Sequence, residues 1–268
     1  AHRGSERRLM LFVNLPLRFI EQHPHYLDLF LRHRLHPELG LDALALDLFS
    51  PARHREIART FCDAGLSCAI HLPFFDLHPG SLDPLVRSVG RQRLLQAVDA
   101  ARVYEPVHFV AHLDGQHLWP PDMREQWLAH SLETWGMVMD RADGVPLFLE
   151  NVFEPTPAQH VQVLRALGGR AGACLDIGHW HAFANGARKA DLTDWLSALG
   201  AFPMHLHLHD NDGRADQHLG LGEGAIPWDE LWDWLRSHRV SATLEPHTER
   251  DFHAAWTYLD QHGLRNLF

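Results

Sequence analysis

Of the 268 residues, 23 are histidine, and many of them stand with Asp and Glu at the ends of short apolar runs. His71 closes CAIHLPF, His112 falls in FVAHLDG, Glu150 and Asn151 end FLEN, and Asp176 and His179 share CLDIGH. His207 and His209 alternate through MHLHLHD, Asp216 and His218 follow in DNDGRADQHLGLGEG, and Glu245 lies in TLEPH. Singly, each has an ordinary use: a histidine at a strand end is commonly a hydrogen-bonded core or rim residue, and a glutamate commonly pairs with a neighbour. Jointly they require carboxylates to converge, and converging carboxylates repel and shift toward protonation unless a cation sits among them. Imidazole mixed with carboxylate suits Zn²⁺ first, with Mn²⁺ or Fe²⁺ as alternatives, better than Mg²⁺ or Ca²⁺. The set contains no cysteine, which sets aside thiolate-rich structural zinc sites and points to catalysis.

Residues around this set are candidates for substrate contact. His209 shares a strand face with His207 because side chains repeat every second residue, which makes it a supporting or substrate-binding residue. Asn151, Phe74, Trp119 and Trp180 follow strand ends closely enough to wall a mouth or stack on a sugar. His205 lies one layer deeper and reads as core, and nothing in spacing promotes His181 or His247. The glycines of GLGEG lack a strand-then-helix context, so they read as a loop turn rather than a phosphate cradle.

Elements that could carry such a set are legible as alternation. Short β-rich runs at 9–15, 41–46, 67–72, 107–112, 146–150, 173–176, 203–209 and 241–245 each precede a helix-like stretch. The clearest helices are expected at 83–103, 122–141, 157–167 and 227–238, with apolar residues recurring at three and four and Pro near several starts. Eight strand–helix pairs in about 250 residues predict an α/β (β/α)8 TIM barrel. Residues 9–268 are expected to form that one barrel, and the polar opening AHRGSERR, residues 1–8, a disordered tail. In such barrels the chemistry sits where strands run into the loops ahead of the helices, which is where these His, Asp and Glu residues fall.

On these residues the chain resembles the xylose isomerase-like TIM barrels (AP endonuclease family 2), which include endonuclease IV and many sugar isomerases and epimerases. The resemblance runs over nearly the whole chain. In the endonuclease IV-like form it implies three zinc ions: His71 and His112 on the first, Asp176, His207 and Glu245 on the second with Glu150 bridging the pair, and His179, Asp216 and His218 on the third. In the isomerase-like form it implies one ion on Glu150, Asp176, His207 and Glu245, with Glu150 and Glu245 also working as acid and base and His179 steadying the substrate. One to three divalent ions per chain are therefore expected. The complete nine-residue set places hydrolysis of a small-molecule phosphodiester first and isomerisation or epimerisation of a sugar or sugar phosphate second. An abasic-DNA endonuclease and a non-catalytic binding barrel come behind both. The loop reading DLFSPARH lacks the Arg-Gln pair with which endonuclease IV-like proteins enter a duplex, and Phe74 stands where they carry a tyrosine.

Bulk properties agree with a small-molecule enzyme. A formal charge of -10 argues against a broad phosphate-binding surface, so nucleic acid is not the expected partner. Cys62, Cys68 and Cys174 lie in apolar stretches without C-x-x-C spacing and read as buried free thiols suited to a reducing cytoplasm. No apolar run approaches the length of a membrane span, so neither insertion nor secretion is expected.

Overall fold

The computed structural model describes residues 9–268, and the tail expected at 1–8 lies outside the described residues. Eight strands, β1 (Leu11–Pro16), β2 (His36–Gly40), β3 (Ala69–His71), β4 (Phe109–His112), β5 (Leu147–Glu150), β6 (Ala171–Asp176), β7 (Met204–Leu208) and β8 (Ser241–Leu244), close into a barrel in chain order. Every neighbouring pair is parallel, and β1 pairs with β8. The expected TIM barrel is what the chain forms.

Helix starts follow local chemistry. The carboxylate of Asp83 accepts from the Leu85 and Val86 amides ahead of Pro84–Ala101, and Ser50 and Thr248 cap Pro51–Asp63 and Glu249–Gln261 in the same way. Pro at the first turn preorganises the helices Pro51–Asp63 and Pro84–Ala101. Outward-facing strand residues such as Leu206 and Leu208 pack against helix side chains in a core where Trp127, Trp135, Trp180 and Trp195 are fully buried. Inward-facing residues of β7 are imidazoles, His205 and His207, so this barrel's interior is polar toward its mouth.

One expected strand is wrong. The alternation in LDALAL predicts the second strand at 41–46; those residues lead instead into the helix Ala43–Leu48, because Asp42 accepts from the Ala45 amide and caps it. The true β2 precedes it. Among the described residues, no helix is long and apolar enough to cross a membrane. All three cysteines are free; Cys68 and Cys174 are buried as expected, whereas Cys62 is exposed on the helix Pro51–Asp63.

Candidate metal centre

Strand ends β3 to β8 bring the nine expected donors to one mouth, and Glu150 at the end of β5 is the hub. Its Oε2 lies 3.0 Å from Nε2 of His71, 3.5 Å from Nε2 of His112 and 3.4 Å from Nδ1 of His207, while its Oε1 lies 3.2 Å from Nδ1 of His179. Nδ1 of His207 is also 3.2 Å from Oε1 of Glu245 and 3.9 Å from Oδ2 of Asp176. On the far side Asp216 sits 3.4 Å from Nε2 of His179 and 3.1 Å from Nε2 of His218. His209 joins that group, its Nε2 lying 3.1 Å from Asp176 and 3.6 Å from Asp216.

These spacings suit a cation. Donors about 2.0–2.1 Å from one tetrahedral ion are separated by about 3.3 Å, and most of the separations above fall close to that. Orientation agrees as well. Nδ1 of His71 donates to the Leu72 carbonyl at 2.8 Å, Nδ1 of His179 to the Asn151 carbonyl at 2.9 Å, and Nδ1 of His218 to the Glu245 carbonyl at 2.7 Å. Once neutral, each of these imidazoles presents a bare Nε2 on the carboxylate side, the arrangement in which a ligand histidine is held by its other nitrogen. Nδ1 of His207 and Oδ1 of Asp216 are buried without a hydrogen-bond partner. Residues His71, His112 and Glu150 form one compact donor group, and His179, His209, Asp216 and His218 another.

Electrostatics in the metal-free site show how the charges compensate. Burial works against ionised Glu150, but the facing His207, with hydrogen bonds from His179 and His207, holds its carboxyl well below the usual range. Burial pushes Glu245 up, with Asp176 and Glu150 adding to it against the opposing pull of His207 and His218. Burial drives His112 down to about 3, so it stays a neutral, ligand-competent imidazole.

Other expected site residues divide. Phe74 stacks on His112 with ring centroids 4.0 Å apart, beside the donors as expected. Asn151 is not turned toward the mouth: its Oδ1 accepts from the Asp176 amide at 2.9 Å and its Nδ2 donates to the Asp176 carbonyl at 3.2 Å, so it holds the end of β6. Trp180 is fully buried and its indole donates to Asp191 at 2.8 Å, which makes it core rather than mouth wall. Trp119 is half-buried against the core. The glycine-rich loop is a turn, as expected: the Asp210 carboxylate accepts from the amides of Asn211, Gly222 and Ile226 and from the Trp228 indole.

Sequence reading missed a second buried cluster beneath the mouth. Glu38 of β2 points inward, its Oε1 lying 3.0 Å from Nε2 of His207 and its Oε2 3.4 Å from Nε2 of His205 and 3.5 Å from Nε2 of His108. Burial opposes its charge, but His207, with His108 and His205 beside it, holds it well below the usual carboxylate range. The available signal was Glu38 two residues before Gly40 in a short run flanked by apolar residues, obscured by Pro37.

Residues 34–266 match the family described as xylose isomerase-like TIM barrel. The chain belongs to that family. Among solved structures, this xylose isomerase-like barrel is similar to the TTHB071 protein from Thermus thermophilus, soaked with ZnCl2, at 30% identity and TM-score 0.79, covering 94% of this chain and 97% of that one. It is similar in fold to a D-tagatose 3-epimerase-like protein, at 20% identity and TM-score 0.78 over 96% of this chain and 99% of that one. The fold likeness extends to D-psicose 3-epimerase from Clostridium cellulolyticum H10, solved with D-tagatose, at 16% identity and TM-score 0.74 over 97% and 99% of the two chains. Among curated sequences, the uncharacterized protein MJ1311 of Methanocaldococcus jannaschii is 28% identical over 177 residues, 62% of this chain and 59% of its own length.

Proposed function

We propose that this chain is a divalent-metal enzyme that acts at the barrel mouth on a small hydroxyl-rich substrate, isomerising or epimerising a sugar or sugar phosphate. The observation that carries this reading is the convergence of Glu150 and Glu245 on one imidazole atom, 3.4 Å and 3.2 Å from Nδ1 of His207. Two carboxylates so placed flank whatever binds between them. The activity named for one fold neighbour, a D-psicose 3-epimerase, and the 3-epimerase-like name of another support this reaction over the phosphodiester hydrolysis that ligand count alone puts first. A bound Zn²⁺, Mn²⁺ or Fe²⁺ would polarise adjacent carbonyl and hydroxyl oxygens of the substrate. Glu150, Asp176, His207 and Glu245 would hold it, one glutamate would take a proton from the carbon between those oxygens and the other would return one, and His179 would steady the substrate. The acidic balance of the chain and this enclosed site support a small molecule rather than nucleic acid as the partner, and the three free thiols support cytoplasmic residence. The test is deuterium uptake from solvent into ketoses by the metal-loaded protein. Uptake that disappears in Glu245→Gln is expected; no exchange with any ketose or ketose phosphate of a broad panel sinks the reading.

Phosphodiester hydrolysis is the second reading, favoured by one specific observation. The groups His71, His112, Glu150 and His179, His209, Asp216, His218 supply donors that a one-ion isomerase does not need, whereas hydrolysis at phosphorus benefits from several cations. Metal analysis separates the two: close to three ions per chain favours hydrolysis and one favours isomerisation. Release of nitrophenolate from bis-p-nitrophenyl phosphate, lost in Glu150→Gln, would establish the hydrolase.

A further inference from the structure

We propose that Glu38, buried beneath the mouth, is the positioning residue that decides which nitrogen of His207 faces the cation. This rests on the metal-centre reading above. His71, His179 and His218 each have Nδ1 tied to a main-chain carbonyl, leaving Nε2 for a ligand. His207 is turned the other way. Its Nδ1 faces Glu150 and Glu245, and its Nε2 faces down into the barrel, 3.0 Å from Oε1 of Glu38.

Both facing atoms, Nε2 of His207 and Oε1 of Glu38, are buried and without a hydrogen-bond partner, and each is the polar atom the other faces, 3.0 Å away. A proton on Nε2 therefore has this carboxylate oxygen as its acceptor within reach, and a buried oxygen left without a donor is costly. Glu38 is held by its other oxygen. Thr243 Oγ1 donates to Oε2 at 2.7 Å, and Nε2 of His205 and of His108 lie 3.4 Å and 3.5 Å from the same atom. That clamp aims Oε1 at His207. Glu38 thus does for His207 what main-chain carbonyls do for the other three: it places the proton on the far nitrogen, leaves Nδ1 bare, and makes the imidazole a stronger donor.

The test is zinc affinity of Glu38→Gln, measured by competition with a chromophoric chelator, alongside melting of the metal-free protein. Affinity is expected to fall by about 10–100-fold, and the metal-free variant to melt lower as well, because it leaves the buried His207 without the carboxylate that faces it. Unchanged affinity overturns the proposal, and so does an imidazole 15N–1H spectrum of the zinc-loaded unaltered protein in which His207 carries its proton on Nδ1, which leaves Glu38 a merely structural role. If the variant does not fold, a zinc-loaded crystal structure of the unaltered chain decides: Nδ1 of His207 on the ion with Nε2 bonded to Glu38 is expected. Nε2 on the ion, or an ion seated on Glu38 itself, overturns it. Unaltered protein that binds no zinc brings down the metal-centre reading together with this one; tight zinc binding by both forms brings down this one alone.

Discussion

At the scale of single residues the mouth stores its charge in imidazole–carboxylate contacts, and His218 is the clearest case. Burial disfavours its charged form, but the hydrogen bond to Asp216 and the nearby Glu245 carboxylate prevail and raise it to about 9. A histidine raised in the folded state contributes stability that is full below its unfolded value of about 6.5 and is lost as pH rises through the folded one. Chelator-treated protein should therefore lose stability between about pH 6.5 and 9, His179 and His207 adding in the same direction. Denaturant melts across that range check it, with a shallower slope in His218→Gln; a flat profile in the unaltered protein refutes the charge pairing. Zinc competes with these protons, so its affinity should rise over the same interval. Most of the donors were legible in the sequence because they end apolar runs, whereas Asp216 and His218 lie in a polar loop and were picked out through the family resemblance. Asn151 and Trp180 were misread because adjacency to Glu150 and Asp176 says nothing about direction: Asn151 turns back onto main chain, and the helix Ile177–Ala182 rotates Trp180 into the core.

At the scale of elements, seven of the eight strands lie where their apolar runs put them, and the helices at Pro84–Ala101 and Pro121–Ala142 are marked by proline starts and three-four periodicity. The second strand was illegible for a physical reason. Its inward positions are His36 and Glu38 rather than aliphatics, and Pro37 lies between them, whereas LDALAL imitates a strand until Asp42 caps it. Missing that strand concealed Glu38, so one error of fold became one error of site. The short helix after β6 is just as demanding, since a Cβ on Gly178 would fall within the ring of His209. That ring cannot retreat: it stacks on His218 at 3.8 Å and meets Asp176 at 3.1 Å. Gly178→Ala is expected to destabilise by about 1–3 kcal/mol despite alanine's better helix propensity, and to lose the ions held through His209. Gly136→Ala, with nothing within 4 Å of its Cβ in the helix Pro121–Ala142, should stabilise by about 0.4–1 kcal/mol. Urea denaturation of the two variants tests the contrast, and an equal response would show that His209 yields more readily than its contacts imply.

At the scale of the molecule, a site built from the ends of successive strands ties the mouth of the barrel together without being needed to build it. The core between barrel and helices, with its four fully buried tryptophans, is formed by groups that touch no cation, unlike small zinc domains that unfold without metal. Removing metal should therefore leave the far-ultraviolet circular dichroism of the chain unchanged while lowering its melting temperature. With free zinc at about 100 times its dissociation constant, binding to the folded state alone contributes about 2.7 kcal/mol. For a chain of this length, that amounts to roughly 5 °C in melting temperature for each ion held so. The shift also reports stoichiometry, because a one-ion isomerase and a three-ion hydrolase differ severalfold at equal affinity. Glu150→Gln, which alters the carboxylate facing His71, His112, His179 and His207, should abolish most of the shift. Chelated and zinc-loaded proteins that melt together would show that these donors meet only to satisfy one another, through protonated imidazoles, and that no cation belongs among them.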